Sequence, residues 1–285
     1  MEIKGINTAP IKQGERLFVM TFKVRDNADN ERILFMQMST LVDFMIILKN
    51  RMAKLSQRVQ ERGENYRAAL FPAVESLTKN IPQFIEEEVT QPDTGNLVMS
   101  IAPKFDDEGF TLVAALNNQH VVTLKIDDAQ VEFIMVAIIK AIEASNDKEA
   151  SQMIGSMLDF IMLYNVDLAD PENLRYLEVK HEPWKESLFA HHFAALYCFN
   201  TEKGKQILAG VVIKTDAQPN SPEAKNVIER VAMLTPAIRD IQGKYPLCDV
   251  FSRIIPAQPS EILPKEHCLK TLQGFCLKMQ GDLNH

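Results

Sequence analysis

Glycine is scarce in this chain, with 11 among 285 residues. The glycines form neither a G-x-G-x-x-G nor a G-x-x-x-x-G-K-[ST] pattern. In such loops, closely spaced glycines let backbone N–H groups approach the phosphates of a nucleotide. The G-x-S-x-G turn that exposes a nucleophilic serine is also missing. The sequence therefore excludes nucleotide binding and serine hydrolysis by these routes, and it predicts no cofactor.

Acidic residues outnumber basic ones: the chain has 38 aspartates and glutamates but 31 lysines and arginines, which gives a formal net charge of −7. Non-specific nucleic-acid binding depends on clustered basic side chains that displace counterions. The balance argues against a large phosphate-binding surface but leaves room for a local basic face. Long uncharged runs are also missing, since the longest, residues 109–124, contains Asn117, Asn118, Gln119 and His120. A transmembrane helix needs about 20 mostly apolar residues, so no membrane association is predicted.

The four cysteines include no C-x-x-C pair and are too few for a disulfide framework in a chain of this length. We interpret all of them as reduced structural residues: Cys198, Cys248, Cys268 and Cys276. Cys268 and Cys276 lie on one predicted helix, about 12 Å apart along its axis, which is too far to share a zinc ion. No metal site is predicted. The first residues lack the segments of a secretory signal, so we expect a cytoplasmic protein.

Hydrophobic periodicity near the start of the chain predicts a β-β-β-α unit. Over residues 16–26 apolar positions alternate with more polar ones, which predicts a half-buried strand. A return strand over residues 32–38 and an amphipathic helix over residues 41–59 follow. Residues 3–11 predict an earlier strand that is cut short by Pro10.

The same order recurs twice. The second unit has strands over residues 97–105, 110–116 and 120–126 and a helix to about residue 144, capped by Asp127 or Asp128. A third, more divergent unit has strands over residues 174–181, 188–199 and 206–215. Its helix starts at Ser221-Pro222, and Pro236 predicts a kink or break.

These patterns predict an α+β fold of repeated antiparallel β-β-β-α units packed with additional helices. The additional helices are expected over residues 64–88 and 149–164 and after Pro264. We expect two repeats with linking helices in residues 1–172, and the third unit with a helical tail in residues 173–285. One continuous domain is the alternative.

Two segments resemble the YjeJ-like family of enterobacteria: Phe18-Val19-Met20-Thr21-Phe22 and the FIMLYNVDL stretch at residues 160–168. The resemblance covers most of the chain. It implies a bacterial cytoplasmic protein, and it implies no activity that can be assigned to particular residues.

The repeated strand–cap–helix pattern is also similar to Whirly and PUR-repeat proteins. That resemblance implies binding of single-stranded nucleic acid on a basic, aromatic sheet face. The corresponding basic patch would consist of Lys23, Arg25, Arg32, Lys49 and Arg51. The second unit departs from this pattern, because the exposed face there carries Thr111, Val113, Thr123 and Lys125. Similarity of fold does not transfer function, so nucleic-acid binding is an alternative.

Residues with catalytic chemistry are scattered along the chain. His191 and His192 are adjacent on a predicted strand, so they point to opposite faces, one in the core and one at the surface. No catalytic residue is assigned. An enzyme is an alternative if folding joins an acid such as Asp167 to one of the histidines His181, His191 or His192. The acidic run at residues 86–88 is predicted to be a solvated face.

The leading interpretation is a non-enzymatic protein that acts through protein–protein contact or self-association. Sheet edges invite pairing. The helix over residues 131–142 has hardly any polar face, so it should be buried in the core or against a partner. Trp184 lies in a polar loop, where an exposed aromatic residue would anchor an interface; half-buried packing is the alternative.

Overall fold

The computed structural model describes residues 1–170 and 174–283. It divides into two compact units, residues 1–158 and 159–285. The predicted boundary between residues 172 and 173 lies outside the described residues. Each unit combines helices with antiparallel strands, so the α+β class predicted from the sequence is confirmed.

The first unit begins with a three-stranded antiparallel sheet. Its strands β1 (Ile3–Gln13), β2 (Arg16–Asp26) and β3 (Glu31–Gln37) lie in chain order, and helix α1 (Met38–Arg62) follows directly. Strand β1 continues through Pro10, which pairs with Met20. A proline is tolerated there because β1 is an edge strand.

Strand β2 is buried on both faces, so the prediction of a half-buried strand is wrong. Phe22 contacts Phe44 of α1, with ring centroids 5.9 Å apart. On the opposite face, Lys23 and its cross-strand partner Asn7 donate hydrogen bonds to the backbone at Gln83 and Pro82. Lys23 is therefore only 5% exposed, because the chain segment around Pro82 and Gln83 covers this face.

Short helices link the first sheet to the second: α2 (Glu64–Ala69), α3 (Phe71–Lys79) and α4 (Glu86–Thr90). The predicted breaks occur, since Pro72 lies in the first turn of α3 and the chain around Pro82 is not helical. Proline is favoured in a first turn because its missing N–H would have no helical partner there.

The second sheet repeats the order of elements. Strands β4 (Val98–Phe105), β5 (Gly109–Leu116) and β6 (Val121–Asp127) precede α5 (Asp128–Ala144), and α6 (Lys148–Met157) ends the unit. Buried and exposed residues alternate along β6 as predicted. Helices α1 and α5 pack against each other, so the helices of the two β-β-β-α segments share one core.

The second unit contains one five-stranded antiparallel sheet with the order β11-β9-β10-β7-β8. Its strands are β7 (Phe160–Asp167), β8 (Arg175–Glu178), β9 (His191–Thr201), β10 (Gly204–Thr215) and β11 (Leu247–Ile255). Its helices are α7 (Pro183–Ser187), α8 (Pro222–Leu234), α9 (Pro236–Gln242) and α10 (Lys265–Leu283). Helices α8 and α9 cover one face of the sheet, and α10 lies on β9 and β10.

Two predictions for this unit are wrong. The helix expected through residue 164 ends at Met157, and β7 begins at Phe160; a short apolar run fits a buried strand as well as a helix. The strand expected over residues 174–181 is also wrong in length, because only the four residues of β8 form a strand. Strand β11 was not predicted at all. The break at Pro236 is confirmed, because α8 ends at Leu234 and α9 begins at Pro236.

Candidate functional site

The basic residues proposed from the sequence do not lie together on one open face. Lys23 is buried, and its Nζ lies 2.8 Å from Glu88 Oε1 and 3.0 Å from Glu31 Oε2. Arg25 also pairs with Glu31, and Arg32 is exposed. Glu88, expected on a solvated face, instead neutralises Lys23. A buried, paired ammonium cannot contact a phosphate without first breaking these bonds.

The two basic residues of α1 have structural partners. Lys49 donates from Nζ to the Leu158 carbonyl at 3.1 Å. Arg51 is buried and forms two bonds of 2.6 Å with the carboxylate of Asp128. Nucleic-acid binding through these five residues remains a prediction, and the placement of Lys23 and Arg51 does not favour it.

The histidines are also separated from the acid proposed for an enzyme. His192 is 1% exposed, and its ring nitrogens have no hydrogen-bond partner among residues 1–170 and 174–283. Burial lowers its pKa to about 4. His191 is half-buried and His181 Nε2 lies 2.7 Å from the Met162 carbonyl. Asp167 lines a cavity of about 540 Å³, but none of the described residues in its walls is a histidine. The structure does not bring the proposed catalytic groups together.

The lone tryptophan is only half-buried. Trp184 lies in the short helix α7, and its Nε1 is buried with no hydrogen-bond partner among the described residues. The indole thus packs partly into its own unit. A role of Trp184 in an interface stays a prediction.

Helix α5 keeps an apolar face that its own unit does not cover. One side is buried, with Val131, Ile134, Met135, Ile138, Ala141 and Ile142 in the core. On the other side Val136 is 43% exposed and Ile139 is 42% exposed. Phe133 is half-buried one turn before Val136, and Glu132 and Lys140 are exposed at the two ends. We call Glu132, Phe133, Val136, Ile139 and Lys140 the α5 face.

An apolar groove of about 730 Å³ runs beside the α5 face. Its opposite walls come from α1, α2 and α3 and from the residue between α2 and α3. Their apolar residues are Leu55, Val59, Leu70, Phe71 and Val74, and α2 contributes Arg67. Phe71 is largely exposed. Exposed aromatic and aliphatic side chains that continue into a groove are typical of protein interaction sites.

The charges on the α5 face are arranged symmetrically about its centre. Glu132 precedes Val136 by four residues and Lys140 follows it by four, so the three side chains share one side of the helix. Neither Glu132 nor Lys140 makes an ion pair within the described part of the chain. The face therefore offers one negative and one positive group on either side of an apolar centre.

The sequence indicated part of the α5 face. The apolar pattern of the helix was recognised, but the expectation that it would be wholly covered requires a neighbour on every side. The structure supplies such neighbours for one side only. The spacing between Glu132 and Lys140 is visible in the sequence, and it becomes informative once both residues are known to be exposed.

Comparisons with known proteins agree with the resemblance stated above. A model of the YjeJ-like family matches residues 1–282. The chain is 29% identical to the uncharacterized protein YjeJ of Escherichia coli (strain K12) over 273 residues, which cover 95% of this chain and 94% of the relative. No solved structure matches the chain significantly. The chain therefore belongs to the YjeJ-like family.

The helices of the structure bear on membrane association. Within residues 1–170 and 174–283, no helix combines the length and the apolar character that crossing a bilayer requires. The predicted cytoplasmic location remains a prediction.

Proposed function

We propose that this member of the YjeJ-like family acts through protein–protein contact, and that its partner at the α5 face is a second copy of the same chain. The observation that supports this proposal is the self-complementary pattern of the α5 face. A two-fold symmetric interface places the same patch of both copies in contact, so a patch that complements itself suits such a dimer.

Two copies of α5, packed antiparallel about Val136, pair every group of the face with a suitable partner. Glu132 of one copy lies opposite Lys140 of the other, twice by symmetry. Phe133 likewise lies opposite Ile139, and Val136 meets its own copy. The apolar pairs supply the favourable burial, and the ion pairs at the rim favour the antiparallel orientation over the parallel one.

The size of the face shows which further residues the dimer needs. The α5 face runs over residues 132–140, which span about 13 Å, and a strip about 10 Å wide gives roughly 130 Å². A stable interface buries about 800 Å² on each partner. The apolar walls of the groove, with Phe71 and Leu70, must therefore also contact the second copy.

The experiment is a measurement of molar mass by light scattering on the untagged full-length protein over a wide concentration range. We expect a species of twice the 32.3 kDa mass of the chain. Val136→Glu places two carboxylates at the centre of the interface and should give a 32.3 kDa species with an unchanged circular dichroism spectrum. Met233→Glu is the matched control, because Met233 is an exposed apolar residue on α8.

Two outcomes would contradict the proposal. One is a wild-type protein that stays at the mass of a single chain up to several hundred micromolar. The other is a dimer that Val136→Glu leaves intact. Nucleic acid that co-purifies at low salt, detected by the ratio of absorbance at 260 and 280 nm, would instead favour the nucleic-acid alternative.

A further inference from the structure

Three potential metal ligands converge at the edge of the five-stranded sheet. Cys198 lies on β9, and Cys248 and Asp249 lie on the neighbouring strand β11. The two Sγ atoms and a carboxylate oxygen of Asp249 all lie within 4.8 Å of one another. Cys198 is buried, whereas Cys248 and Asp249 are half-buried, so the cluster is reachable from solvent on one side.

A β-bulge explains why two consecutive residues meet at one point. In a regular strand Cys248 and Asp249 would point to opposite faces of the sheet. The pairing passes from Leu247 opposite Phe199 to Asp249 opposite Cys198, so Cys248 is an extra residue in β11. Bulges redirect side chains and are common next to functional sites. Here the bulge brings the Cys248 Sγ within 3.3 Å of the Cys198 carbonyl.

The ligand set indicates which ion fits. Thiolates bind soft or borderline metals, whereas carboxylates do not suit Cu(I). Zinc accepts both ligand types, with Zn–S bonds of about 2.3 Å and Zn–O bonds of about 2.0–2.2 Å. A tetrahedral ion with such bonds holds its ligand atoms somewhat under 4 Å apart, which the observed cluster allows. A site with three protein ligands keeps its fourth position for water.

The neighbouring charge suits such a site. Lys205 Nζ lies 2.7 Å from Asp249 Oδ2, so this contact leaves the other oxygen, Oδ1, to face an ion. Groups that hydrogen-bond a metal ligand fix its orientation. Two thiolates and one carboxylate exceed the charge of a divalent ion by one, and the ammonium of Lys205 offsets that excess.

We propose that Cys198, Cys248 and Asp249 bind one Zn²⁺ ion, with water as the fourth ligand, and so tie the edge strand β11 to β9. This site belongs to the second unit, whereas the α5 face belongs to the first, and it does not depend on self-association. It also revises the interpretation of Cys198 and Cys248 as purely structural residues.

Cobalt is the probe for this site, because Co²⁺ replaces Zn²⁺ in thiolate sites and is coloured. The full-length protein, stripped of metal and fully reduced, is titrated with Co²⁺. We expect a thiolate-to-cobalt charge-transfer absorption that saturates at one ion per chain and disappears on addition of Zn²⁺. Cys248→Ser should abolish this absorption. Cys276→Ser, which removes a buried thiol on α10, should leave it unchanged.

Asp249→Asn separates the role of the carboxylate from that of the thiols. This variant keeps both sulfurs, so the charge-transfer band should remain, but Co²⁺ should bind at least tenfold more weakly. Circular dichroism checks that each variant folds. The proposal is overturned if the wild-type protein gives no charge-transfer band, or if the band persists in Cys248→Ser. A Cys198–Cys248 disulfide, found by mass spectrometry after alkylation without reductant, would overturn it as well.

Discussion

Arg51 and Asp128 form a two-bond ion pair in which each side chain is only 2% exposed. Both N–O distances are 2.6 Å. The pair joins the middle of α1 to the first residue of α5, and Arg51 also donates to the Asp106 carbonyl in the turn between β4 and β5. Arg58, about two helical turns further along α1 on the same side, bonds to the same carboxylate. These contacts link the helices of both β-β-β-α segments.

Removing the charge of Asp128 should destabilise the protein strongly. In Asp128→Asn two arginines lose their carboxylate and Arg51 stays buried, which costs about 3–5 kcal/mol of unfolding free energy. Arg51→Met should cost less, because Asp128 keeps Arg58 as its partner. Denaturation in guanidinium chloride measures both. Arg62→Met, which removes an exposed ion pair to Glu108, is the control and should cost under about 1 kcal/mol. Equal small effects of all three would contradict this role of the buried pair.

Reversing charges on the α5 face should weaken and then restore the proposed dimer. Glu132→Lys and Lys140→Glu each convert two attractive contacts into repulsive ones, so we expect dissociation constants about tenfold higher, near 1.4 kcal/mol. The double variant Glu132→Lys with Lys140→Glu regains both pairs and should return to within about threefold of the wild type. Sedimentation at low and high salt provides the measurement. Additive weakening in the double variant would show that the two residues do not face each other.

His192 should make stability depend on pH. Its pKa falls from 6.5 to about 4 because burial, with Lys214, His191 and His267 nearby, disfavours the charged ring. Between about pH 6.5 and 4, His192 therefore binds a proton in the unfolded chain but not in the folded protein. Stability is therefore full above about pH 6.5 and decreases as the pH falls towards 4, by about 3 kcal/mol at most.

Urea denaturation between pH 7 and 4 tests this dependence. His192→Phe should remove most of the decrease, because the phenyl ring occupies a similar space and takes up no proton. His120→Gln, a change at an exposed position, should leave the decrease unchanged. The same slope in wild type and His192→Phe would assign the effect to other groups.

Two glycines should respond in opposite ways to a methyl group. A Cβ on Gly5 would lie 1.9 Å from the backbone oxygen of Asn80, so Gly5→Ala should separate β1 from the end of α3 and cost about 1–3 kcal/mol. A Cβ on Gly274 in α10 would meet nothing within 4 Å. Gly274→Ala should therefore stabilise the protein by about 0.5–1 kcal/mol, because alanine loses less conformational entropy than glycine in a helix. Thermal unfolding compares the two, and a neutral Gly5→Ala would contradict the tight β1–α3 contact.

Local patterns predicted much of the fold because they report local physics. The alternation of apolar residues along β6 and the break at Pro236 depend on side chains a few positions apart, and both are confirmed. Strand β7 failed the same approach. Its run from Phe160 to Tyr164 is apolar at every position, so it has no period that distinguishes a strand from a helix. Its conformation is decided by pairing with the neighbouring strands β10 and β8.

The candidate sites depended far less on local pattern. Lys23 and Arg51 look like surface charges in the sequence, but their partners Glu88 and Asp128 lie 65 and 77 residues away. No spacing rule connects such positions. Cys198 and Cys248 are 50 residues apart and meet only through the pairing of β9 with β11 and its bulge.

By itself, the sequence determined the class of the fold, the order of elements in its first half, and the exclusion of glycine-loop nucleotide sites. Those properties follow from periodicity and from residue types that are present or missing within short windows. Only the tertiary structure decided which charges are buried in pairs, which side of α5 stays open and which thiols face each other. Burial and proximity arise from packing between segments that are distant in the sequence. That packing decides which charges lose their water and need a partner, and which apolar faces are removed from water.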